Sequence, residues 1–190
     1  MRHLSPGNKM STRSQKGLSF ETLPTRIKDE CGRVIEVRAY GAADYESLKA
    51  MYDTFEPKGL QAGLPPGDDQ ARLRWLQHVT SGLFNILALY KGSVIGHCGI
   101  DLCRAPSCPE YLIFIQKSFR DHGIGTRLSE VMKEVAKEAG CEKVWLTVRT
   151  ANTRAINVFK KVGFEFCGGI EIERDMELDL KQAKVSCSLS

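Results

Sequence analysis

Apolar residues recur along this chain in two rhythms, one of period two and one of period 3.6. Val34, Ile35 and Val37 open an extended segment just after Arg33. Tyr45, Leu48, Tyr52 and Phe55 then fall three or four residues apart, the spacing of one helix face over about 42–55. The stretch 56–67 is too rich in glycine and proline for either element and reads as a loop. Asp68 or Asp69 next supplies an N-cap for a second helix reaching about Thr80. Two apolar runs, 84–90 and 93–102, joined by Lys91-Gly92, form the pattern of a hairpin. Tyr111–Ile115 is short and almost wholly apolar, as in a strand covered on both faces.

The C-terminal half carries the clearest helix. Ile124, Leu128, Val131, Met132, Val135 and Ala139 repeat at helical spacing, and Gly140 lies where a C′ glycine belongs. A strand follows over 144–148. Asn152 opens another helix whose Ala155, Val158, Phe159 and Val162 share a face, and Gly163 stops it. Strands over 164–167 and 170–180 complete the pattern. This order predicts one α/β domain over 33–180 with a mixed sheet and right-handed crossovers. Residues 1–30 lack periodicity and read as a flexible tail, and 181–190 as a second tail. The alternation of Ile170, Ile172, Arg174, Met176, Leu178 and Leu180 fits either internal packing or a homodimer interface.

Composition narrows the functional classes. With 42% apolar and 26% charged residues the chain is not a disordered polymer. No run approaches the roughly 20 apolar residues of a membrane span, and no apolar leader opens the sequence, so a cytoplasmic location is expected. The net charge is +4, and residues 1–30 carry six basic against three acidic side chains, leaving only +1 for the rest. A nucleic-acid partner is therefore not expected of the folded part. Cys98, Cys103 and Cys108 recur at intervals of five, a spacing that fits no zinc pairing, so reduced thiols and no metal are expected among the seven cysteines.

The chemistry-bearing stretch runs strand, short loop, glycine turn, helix. Gly123 and Gly125 flank Ile124 where a helix begins. Glycines let main-chain N–H groups converge on an anion, and a helix N-terminus adds unsatisfied donors and partial positive charge. Arg120 and Arg127 stand at the rim. Leu128 occupies the place of the third glycine that a dinucleotide fingerprint needs, and no Gly-Lys-Ser/Thr is present for a P-loop.

Here the sequence resembles the GNAT acetyltransferase family. That family's Arg/Gln-x-x-Gly-x-Gly/Ala motif is matched by Arg120-Asp121-His122-Gly123-Ile124-Gly125. Its second signature, Asn-x-x-Ala followed by Tyr and Gly-Phe, is matched by Asn152, Ala155, Phe159, Gly163 and Phe164, with phenylalanine where many relatives have tyrosine. The resemblance implies a mixed, mostly antiparallel sheet of six to seven strands, a central splayed parallel pair and about four helices. It implies acetyl-CoA as co-substrate, bound by main-chain groups of Phe114 and Ile115, by amides from Asp121, His122, Gly123, Ile124, Gly125 and Thr126, and by Asn152 and Phe159.

The reaction implied is direct attack of an amine on the thioester in a ternary complex. Glu110 matches a carboxylate position used as base in several branches of the family, or is a solvated strand-end carboxylate. His97 is a second candidate base, or a hydrogen-bonded core histidine. The N–H of Ile115 is the candidate oxyanion donor. Glu56, Asp68 and Asp69 lie where a small-molecule or peptide amine acceptor would enter, or merely form and cap a connecting loop. A non-catalytic acyl-CoA-binding sensor would keep the same glycine turn, and thiol release from acetyl-CoA separates the two readings.

Overall fold

The computed structural model describes residues 18–59, 64–102, 108–169 and 171–181. Cys103 with positions 104–107, Ile170, the loop positions 60–63 and the tail positions 1–17 and 182–190 lie outside the described residues.

The first half of the chain builds β1 (Thr25–Lys28), β2 (Val34–Ala39), α1 (Tyr45–Asp53), α2 (Asp69–Gly82), β3 (Phe84–Tyr90), β4 (Ser93–Ile100) and β5 (Tyr111–Ile115). The second half builds α3 (Ile124–Glu138), β6 (Lys143–Arg149), α4 (Thr153–Val162), β7 (Glu165–Cys167) and β8 (Glu173–Asp179). The strands form an antiparallel five-stranded sheet ordered β1-β2-β3-β4-β5 and a three-stranded sheet ordered β6-β8-β7. This mixed α/β architecture with four helices is the expected class, with one strand more than expected.

The extra strand is β1, and it corrects the boundary of the N-terminal tail. Phe20 is buried against Phe84, their rings edge to face with centroids 4.8 Å apart. Glu138 near the end of α3 accepts the main-chain N–H groups of Glu21 at 2.6 Å and Thr22 at 3.0 Å. Ile27 supplies the only aliphatic side chain of β1, and Arg26 and Lys28 flank it. Such a polar four-residue edge strand blunts edge pairing and leaves almost no periodic signal in sequence.

Helix ends follow the local chemistry. Asp68 caps α2 by accepting from Ala71 N–H at 2.7 Å, and Asn152 caps α4 by accepting from Ala155 N–H at 3.2 Å. Gly140 (φ +79°) and Gly163 (φ +107°) take the left-handed conformation that ends α3 and α4.

Two cores result. Helices α3 and α4 cover one face, with Ile124, Leu128, Met132, Val135, Phe159 and Val162 packed on Ile86, Ile95, Cys98, Leu146 and Met176. Helices α1 and α2 cover the other face of the five-stranded sheet, where Leu48, Met51, Tyr52, Phe55 and Leu76 meet Leu87 and Phe114. Of the alternating residues of the last strand, Met176 and Leu178 are buried in the first core, while Ile172 is 73% exposed.

Candidate active site

Strands β5 and β6 are parallel neighbours that touch only at their N-terminal ends. Trp145 N–H donates to the Pro109 carbonyl at 3.1 Å, and Glu110 and Trp145 form an isolated parallel bridge. Beyond that point the two sheets separate, and a gap opens between β5 and β6.

The register of β4 against β5 fixes which main-chain groups line this gap. Asp101 N–H donates to the Glu110 carbonyl at one end, and Gln116 N–H to the Ile95 carbonyl at the other. In an antiparallel ladder the groups alternate sides. Those of Glu110, Leu112, Phe114 and Gln116 therefore face β4, while those of Tyr111, Ile113 and Ile115 face the gap. Phe114 is thus misplaced as a main-chain ligand; its partner is His97 on β4. Its ring packs among Tyr52, Phe55 and Trp75 at centroid distances of 5.5–5.7 Å. Period-two reasoning applied to the register, which the sequence alone does not contain, points to Ile113 in its stead.

At the C-terminal end of β5 the chain passes a short 3-10 turn, Lys117–Phe119, and reaches the glycine turn. Asp121 (φ +61°) and Gly123 (φ +76°) are both left-handed there, and Gly123 is the N-cap of α3. Among the described residues, none of the main-chain N–H groups from Asp121 to Thr126 donates to a protein acceptor. A run of unspent main-chain donors at a helix N-terminus can serve as an anion cradle. A Cβ at Gly125 would make only ordinary contacts, 3.7 Å from the Val158 methyls and 3.9 Å from Ile115.

Arg120 braces the site and is not a free cation at its rim. Its Nε donates to the Ile115 carbonyl at 2.8 Å, its Nη2 to the Glu56 carbonyl, and its guanidinium lies 4.9 Å from the Phe55 ring centroid. Burial and the nearby Arg154 lower its pKa. Arg154, which sequence reasoning missed, pairs with Asp121 at 2.9 Å and brings positive charge to the turn from α4. Asn152 spends its side-chain oxygen on the helix cap and is itself exposed. Phe159 is buried, with its ring centroid 6.4 Å from that of Tyr111 and 5.7 Å from that of Phe164.

His97 is a core histidine and has no access to a substrate. It is 0% exposed. The Asn85 amide donates to the carbonyls of Val79 and Leu83, so Asn85 Oδ1 must accept from His97 Nε2–H at 2.9 Å. Nδ1 is then the acceptor, and Tyr52 donates its hydroxyl to it at 2.6 Å. Burial lowers the His97 pKa to about 3. Glu110, by contrast, is exposed, at the closed end of the gap beside Trp145.

Beyond the end of β5, Glu56, Pro57, Lys117 and Arg120 line an open pocket of about 270 Å³. Lys117 pairs with Glu56 at 3.0 Å and lowers its pKa. Asp68 is a helix cap and Asp69 pairs with Arg72 at 2.7 Å, so neither is left over for a cationic amine. Among the described residues, no cluster of His, Cys, Asp and Glu could hold a metal ion, and no helix is long and apolar enough to cross a membrane.

A splayed parallel strand pair beside an anion cradle defines an acyl-CoA-type transferase scaffold, and the comparisons with known proteins agree. Residues 47–164 match the acetyltransferase (GNAT) family, and the chain belongs to it. It is 26% identical over 140 residues to the L-amino acid N-acetyltransferase AaaT of Escherichia coli (strain K12), covering 70% of this chain and 85% of that protein. The fold is shared with the GNAT domain of S. lividans PAT (TM-score 0.72, 19% identity), covering 85% of this chain and 99% of that one. It is shared also with yncA from Salmonella typhimurium, solved with its cofactor acetyl-CoA (TM-score 0.61, 16% identity), covering 82% of this chain and 99% of that one.

Proposed function

We propose that this chain transfers an acetyl group from acetyl-CoA to a primary amine within a ternary complex. The observation that carries the reading is the run of unspent amides from Asp121 to Thr126 at the end of the open β5 edge. The diphosphate of coenzyme A docks on those amides, with Arg154 held beside them by its ion pair with Asp121. The pantetheine arm runs from there into the gap and pairs with Ile115 and then Ile113 as an added strand would. That yncA, which shares the fold, was solved with its cofactor acetyl-CoA supports the choice of co-substrate.

The strand geometry distributes the catalytic roles. Ile115 and Glu110 stand five residues apart on one strand, about 16 Å at 3.3 Å per residue, too far to serve the same carbon. The amide nearest the diphosphate meets the arm. Ile113 N–H, closer to the vertex and to the Phe159 neighbourhood, therefore replaces Ile115 as donor to the developing oxyanion. Glu110 lies about 10 Å from Ile113 by the same measure and acts as base through water. A base is needed because an amine of pKa about 10.4 is neutral in only about one molecule in two thousand at pH 7. Phe159 offers the departing thiolate no proton.

The acceptor is a small-molecule or peptide amine, and L-amino acids head the panel because AaaT is named for them. Thiol release from acetyl-CoA over a panel of amino acids, polyamines and peptides tests the proposal. Amine-dependent release, lowered at least tenfold by Glu110→Gln, is expected; release with no amine dependence contradicts the transferase reading.

A further inference from the structure

The turn between β1 and β2 reaches across to the glycine turn and hangs a carboxylate over it. Glu30 N–H donates to the His122 carbonyl at 3.0 Å, and the Cys31 sulfur lies 3.5 Å from His122 Nδ1. The Glu30 side chain covers Gly123: a Cβ built there would lie 3.0 Å from Glu30 Oε1 and 3.3 Å from its Cγ. Asp29 holds this arrangement in place. Its carboxylate accepts from Cys31 N–H at 3.0 Å, Arg33 N–H at 2.8 Å and Arg33 Nε at 2.5 Å. Burial of Asp29 would raise its pKa, but the hydrogen bonds from Arg33 outweigh it and lower it. Arg33 is pinned in turn with its guanidinium 4.7 Å from the Phe119 ring centroid.

A carboxylate beside an anion cradle opposes the ligand the cradle attracts. Nothing in the packing requires an acid there, because Glu30 is exposed and its backbone alone makes the contact with His122. It also lies outside the segment 47–164 that matches the family, in the turn between β1 and β2. We infer that Glu30 is a negative guard on the diphosphate subsite, set to weaken coenzyme A binding and hasten its release. The inference rests on the coenzyme A reading of the cradle.

Glu30→Gln keeps the shape and removes the charge. Titration of both proteins with coenzyme A by calorimetry, at 20 mM and 300 mM salt, reads the effect. The variant binds about threefold to tenfold more tightly at low salt, and the advantage shrinks at high salt as screening grows. Dephospho-coenzyme A, which keeps the diphosphate and lacks the 3′-phosphate, shows the same gain. Pantetheine, which has neither, shows none. Equal or weaker binding of coenzyme A by the variant at low salt overturns the guard. So does a gain that persists with pantetheine, which would point to altered packing. If neither protein binds coenzyme A, the cradle itself is misread and the guard falls with it.

Discussion

The main-chain N–H of Trp145 donates to the carbonyl of Pro109 at 3.1 Å, and this contact is the hinge point of the whole site. On one side of it β5 and β6 are neighbours in a parallel pairing. On the other side the two sheets part, leaving the main-chain groups of Ile113 and the N–H of Ile115 unpaired by β6, while the Ile115 carbonyl accepts from Arg120 Nε. A continuous sheet would have spent those groups on β6, and no strand-like ligand could then pair with β5.

Gly123 and Gly125 are predicted to respond differently to the same substitution. Gly123→Ala puts a side chain at φ +76° and within 3.0 Å of Glu30, and should cost about 1–2 kcal/mol in urea unfolding. Gly125→Ala meets only ordinary contacts with Val158 and Ile115, and removes a flexible residue from a helix start. It should be neutral or stabilising by up to about 1 kcal/mol, with coenzyme A affinity kept. Equal losses at both positions would show that the two glycines serve one purpose.

His97 makes the stability of the fold depend on pH. Its pKa is about 3 in the fold, against about 6.5 when unfolded, so the unfolded chain binds a proton that the folded one refuses. Stability is then full above pH 6.5 and falls as pH drops toward 3, by up to about 1.4 kcal/mol per pH unit. Urea unfolding between pH 7.5 and 5 should show this slope in the wild type and its loss in His97→Gln. An unchanged slope would mean that His97 is accessible to protons in the fold.

Phe159→Tyr is predicted to raise kcat about tenfold by returning a phenol to the neighbourhood of the departing thiolate, less than the roughly hundredfold or more of a fully positioned general acid. Steady-state kinetics with the best acceptor of the panel reads it. A flat or lower kcat would mean that proton delivery to the thiolate does not limit turnover.

Much of the fold was legible because its signals are local. The period of α3 and its terminal Gly140, the Asn152 cap of α4 and the hairpin around Lys91-Gly92 each state their element within a few residues. β1 was missed because Thr-Arg-Ile-Lys offers one aliphatic side chain and no pattern. The glycine turn was legible as an anion site, since its donors are consecutive in sequence. The true partners of Arg120 were not, because Ile115 and Glu56 present carbonyls that any residue would carry. Ile113 and Glu30 depend on strand register and on a contact across 93 positions between Glu30 and Gly123, neither of which one sequence displays.

Amide chemical shifts of the isotope-labelled protein, followed through a titration with coenzyme A, test the central claim most directly. The largest changes are predicted at the amides of 121–126 and at Ile113 and Ile115, with Phe114 moving far less because its N–H is held by β4. Saturable binding that leaves Gly123, Gly125 and Ile115 unmoved, or no binding at all, would contradict it.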